Sequence, residues 1–226
     1  MNPVDILSGY KFVLTFYSIE VENMAEMDIM FQLGNEYIIR MLETNIGTDK
    51  IKSEQMVAET IVRLGDLTTK MCHYFEQSSG FWEKLELSIS FIRVLITIIT
   101  KVNQISSFEN LENFDEERLL KVLILRFEEV LIRSESPVID KLRILLGCAI
   151  QSMCGMGLNG SSIALRLDFP GRLTNELAKI QIKISLIKFR QLSETSYGQL
   201  IFIIFSIMRN MVYKQRALKE CGYLEI

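Results

Sequence analysis

The segment from Leu85 to Ile99 leaves very little of a helix's circumference polar. Leu85, Leu87, Ile89, Phe91, Ile92, Val94, Leu95, Ile96, Ile98 and Ile99 would face every direction as it turns. A helix of that kind must be covered on two or more sides or lie in a membrane. Spanning a bilayer takes about 20 mostly apolar residues. Extended to Val102, this stretch is interrupted by Glu86, Arg93 and Lys101, and the other rich run, Leu200 to Val212, stops short of Lys214. Both therefore predict buried core helices and no membrane insertion. A mean hydropathy of +0.21 agrees with a chain that needs layered packing or a partner surface.

Sparse punctuation points to helices throughout. Only three prolines and 12 glycines occur in 226 residues. The periodicity predicts an all-α chain with helices over about 3–17, 21–44, 53–76, 81–104, 114–134, 138–153, 174–190 and 200–213. Short helical pieces are added at 163–167 and 215–219. Gln77-Ser78-Ser79-Gly80 reads as a turn, and Ser136-Pro137 as a helix cap followed by a proline at the first helical position. Asn113 with Glu116, and Ser196 with Gln199, stand in capping-box relation. Residues 11–21 and 179–187 alternate as strands do, but the second also carries Leu173, Leu177, Ile180, Ile184 and Ile187 on one helical face. The expectation is a single all-helical domain over 1–226, with a polar loop near 105–115 that can separate two halves.

Chemistry-bearing motifs are few. No nucleophile elbow, P-loop, dinucleotide fingerprint, HExxH helix or EF-hand loop is present. Gly155-Met-Gly-Leu-Asn-Gly160 is followed by Ser161-Ser162 rather than by the lysine and then hydroxyl of a phosphate loop, and reads as a helix C-cap and inter-helix turn. Cys72, Cys148, Cys154 and Cys221 include no CxxC pair, and His73 is the one histidine. The thiols read as reduced core residues, and no metal or cofactor is expected. The pairs Glu116-Glu117 and Glu128-Glu129 read as solvated helix surface rather than acid–base machinery. The N-terminus, MNPVDILSGY, lacks the basic and long apolar parts of a secretory signal, so an intracellular protein, cytoplasmic or nuclear, is expected. Nothing in the sequence supports an enzyme.

Charge is unevenly spread. Residues 1–50 hold eight acids against three bases, whereas 172–226 hold nine bases against four acids. Such polarity can steer a partner or favour head-to-tail association. The basic end also makes a nucleic-acid or chromatin-associated protein the alternative function, with phosphate contacts as its basis.

Two C-terminal stretches read alike. From Leu142, an apolar helix leads through small residues and a short helix to Gly171 and another helix; from Leu200, the same order runs to Gly222. This order, and the tail RNMVYKQRALKECGYLEI above all, resembles the armadillo/HEAT-type helical repeats of divergent, ataxin-10-like proteins. The resemblance covers only the C-terminal half. It implies a right-handed stack of about eight helices, an irregular helical bundle being the alternative. It also implies a non-catalytic scaffold or complex subunit that binds another protein or a second copy of itself. The residues expected to do so are Arg209, Tyr213, Lys214, Arg216, Lys219 and Tyr223 at the basic end.

Overall fold

The computed structural model describes residues 71–105, 115–155, 159–184 and 196–220, with isolated positions at 36, 39, 68 and 69. Among these residues every regular element is a helix. None of the described helices is long and apolar enough to cross a membrane. The expected helices before residue 68, the strand-like 11–21 segment and the Asn113 cap lie outside the described residues. The chain divides into two compact units, Met1–Asp115 and Glu116–Ile226.

In the first unit, residues 71–76 are helical, α1 spans Ser78–Glu83 and α2 spans Leu85–Ile105. The expected Gln77–Gly80 turn shrinks to Gln77 alone, which leaves helical geometry while its carbonyl already accepts from Phe81 N at 3.0 Å. A second break falls at Lys84, where the orphan carbonyls of α1 need donors. The buried Ser88 hydroxyl donates to Phe81 O at 2.8 Å and lies 3.1 Å from Lys84 O, which already accepts from Ser88 N at 2.9 Å. Tyr74 OH reaches Gly80 O at 3.4 Å and Ser88 Oγ at 3.1 Å. Around this polar hub the rings of Phe75 and Phe81, and of Tyr74 and Phe91, pack at centroid distances of 6.0 and 4.8 Å. The apolar helix α2 is covered as its sequence demands. Every residue from Leu87 to Ile92 is buried, while Glu86, Arg93 and Thr100 form one narrow outward stripe. Arg93 pairs there with Glu36.

The second unit is built on an antiparallel hairpin, α3 (Glu116–Leu131) and α4 (Pro137–Met153). Ser136 caps α4, its hydroxyl accepting from Ile139 N at 3.2 Å, and Pro137 takes the first helical position. The turn is fastened by Arg143, which is almost fully buried. Its Nε donates to Val130 O at 3.1 Å, one Nη to Arg133 O at 2.7 Å, and the other to Asp140 Oδ1 at 2.6 Å. A cation thus sits where the C-terminal carbonyls of α3 converge.

Three further helices cover the hairpin: α5 (Gly160–Arg166), α6 (Phe169–Ile184) and α7 (Ser196–Glu220). Helix α4 lies between α3 and α7 at Gly147. A Cβ there would sit 2.8 Å from Ile203 Cγ2 and 3.4 Å from Phe127 Cε2, so glycine permits the close approach. Gln151 Nε2 and Ser206 Oγ bond across the same contact at 2.9 Å. The glycine-rich stretch falls between α4 and α5, with residues 156–158 outside the described ones. Gly160 opens α5 directly against the end of α4, where a Cβ would come within 2.2 Å of Met153 O. Ser161 Oγ then donates to Cys154 O at 2.7 Å.

Helix α6 begins five residues before the expected Thr174. Phe169 is fully buried, 6.4 Å from the Phe127 ring, and the chain turns into it through Asp168 at φ 51°. Thr174 is interior to the helix, its hydroxyl bonded to Pro170 O at 2.9 Å rather than capping. Gly171 is likewise inside α6 and marks no boundary. Helix α7 runs unbroken where two helices, 200–213 and 215–219, were expected. The stretches beginning at Leu142 and Leu200 therefore differ, the first broken after Met153 and again at Leu167–Asp168, the second continuous to Glu220. Gly222 lies outside the described residues.

Candidate functional site

The face that stands out is the outer side of α7. Its inner side buries Leu200, Ile203, Ile204, Ile207 and Met211 against the hairpin. On the opposite side, Phe202, Phe205, Val212 and Tyr213 are 72%, 58%, 62% and 65% exposed. Arg209 and Arg216 are exposed as well. Positions 202, 205, 209, 212, 213 and 216 fall within about a 100° arc at 3.6 residues per turn. They form one stripe with Arg209 at its centre. The expected partner-binding residues are thus placed unequally. Arg209, Tyr213 and Arg216 share this stripe, Lys214 and Lys219 lie on α7 with side chains outside the described residues, and Tyr223 lies outside altogether.

Phe202, Phe205 and Val212 were not singled out by sequence. Leu200–Met208 reads as an inner helix covered on two sides, whereas only one side is covered. The available signal was the second apolar row at 202, 205, 212 and 213, facing away from the first.

Other chemistry-bearing groups are committed to structure. Cys72 is buried and the adjacent His73 exposed, so the neighbours do not converge on a common ligand; His73 Nδ1 lies 3.5 Å from Glu76 Oε2. Burial pushes the Cys154 thiol up to about 12 and raises that of Cys148. Both are therefore protonated and weakly nucleophilic near neutrality.

Glu117 lies on solvated surface as expected, its side chain and those of Lys121 and Arg166 being 44%, 51% and 66% exposed, whereas Glu128 and Glu129 are part-buried in ion pairs. Glu129 holds the buried Arg126 at 2.6 Å, and Glu117 binds Lys121 and Arg166, each at 2.7 Å. Lys121 and Arg166 hold the Glu117 carboxyl below its usual range. Glu128 Oε2 accepts from Arg172 Nη1 at 3.0 Å, while Oε1 is nearer, at 2.8 Å, but off the N–H direction. Cations from α3 itself and from α5 and α6 claim these carboxylates.

Beside that ion pair, α3 and α6 flank an open depression of about 380 Å³, lined mainly by Leu125, Phe127, Leu131, Ile132 and Phe169. Its guanidinium, Arg172, is already bound to Glu128 and Leu167 O and stacked 5.8 Å from the Phe169 ring. No protein-family model, curated protein or solved structure matches the chain.

Proposed function

We propose that this protein is a non-catalytic interaction scaffold, an armadillo/HEAT-like helical stack that works as a subunit of a larger complex and engages a partner protein through the outer face of α7. The observation that supports this best is the exposure of two phenylalanines, a tyrosine and a valine in one stripe with two arginines. An exposed apolar patch of a few hundred Å² is often functional, and Tyr and Arg are residues that anchor interfaces. The layering of α3, α4 and α7, with α4 covered on both sides at Gly147, is what a stacked helical array requires.

The test is affinity purification of the tagged full chain from its native source, wild type against Arg209→Glu/Arg216→Glu. A stoichiometric protein that accompanies the wild type and is lost from the variant is the expected result. A chain that comes down alone, or only with nucleic acid, refutes the scaffold. In the second case, a steep loss of binding with rising salt would establish phosphate contacts instead.

A further inference from the structure

We draw no further inference here: the strongest candidate, the exposed stripe of Phe202, Phe205, Arg209, Val212 and Tyr213 on the outer face of α7, carries nothing beyond the surface already described, because nothing in the structure shows what covers it.

Discussion

Replacing Arg143 by methionine keeps the aliphatic stem in its place between α3 and α4 but removes the group that ties off the end of α3. Two hydrogen bonds from a cation to carbonyls disappear, those to Val130 O and Arg133 O, along with the ion pair to Asp140. Hydrogen bonds to charged groups contribute about 1.5–3 kcal/mol each, so the gross loss is about 3–6 kcal/mol. Part of this is returned. Val130 O still accepts from Arg133 N at 3.3 Å, the half-exposed Asp140 regains water, and methionine spares the desolvation of a guanidinium. The net loss expected is about 2–4 kcal/mol, measured by urea unfolding followed at 222 nm. Lysine restores the charge but not the fork that reaches two carbonyls, so Arg143→Lys should fall between wild type and methionine. Asp140→Asn should cost under about 1 kcal/mol, because that carboxylate is partly solvated. An Arg143→Met variant within about 0.5 kcal/mol of wild type would refute the claim that these bonds fasten the hairpin.

Gly160→Ala forces a Cβ to within 2.2 Å of Met153 O, a backbone atom that cannot yield without moving the end of α4, so a loss of about 2–4 kcal/mol is expected in the same assay. Gly147→Ala meets Ile203 Cγ2 at 2.8 Å and should cost about 1–2 kcal/mol; Ile203→Ala, which removes that methyl group, should show a favourable coupling with it in a double-mutant cycle. The Cys154 thiol is raised chiefly by burial, with Glu116 adding to the rise and Ser161 opposing it, so the unfolded chain loses this proton first, near pH 9. Its contribution is complete below that pH and falls between about 9 and 12, by roughly tenfold in the unfolding constant per pH unit. Cys154→Ala should flatten the alkaline limb by that amount, and identical pH profiles for the two proteins would rule the effect out.

Much of the fold was readable because it depends on local rules. The all-round apolar character of Leu87–Ile99 required burial on several sides, and α2 has it. Ser136-Pro137 combines a side-chain acceptor with a fixed φ, and α4 starts there as expected. Boundaries set by distant contacts were not readable. The start of α6 is an exception, since Asp168 and Pro170 signal it in the sequence, while Phe169 packs on Phe127, a residue 42 positions earlier. Ser88 keeps α1 and α2 apart through carbonyl contacts that no periodicity encodes. Lys121 stands four residues from Glu117 and that pair is readable in the sequence, whereas Arg166 and Arg172 come from other helices and the burial of Arg126 is a tertiary property.

Helix α7 joins these two kinds of information. An apolar run says that a helix has more than one face to cover, but only the fold says which face remains. Here the hairpin takes the row through Leu200, Ile204 and Met211, while the opposite row holds Phe202, Phe205 and Tyr213 in the open. Those rings do not help the unit fold, since their water contact persists in the folded state. The arginines among them also argue against simple association with more apolar surface, because burying Arg209 without a carboxylate would leave a desolvated charge. The exposed aromatic row with arginines among it is a feature that the apolar run alone does not reveal and the fold does.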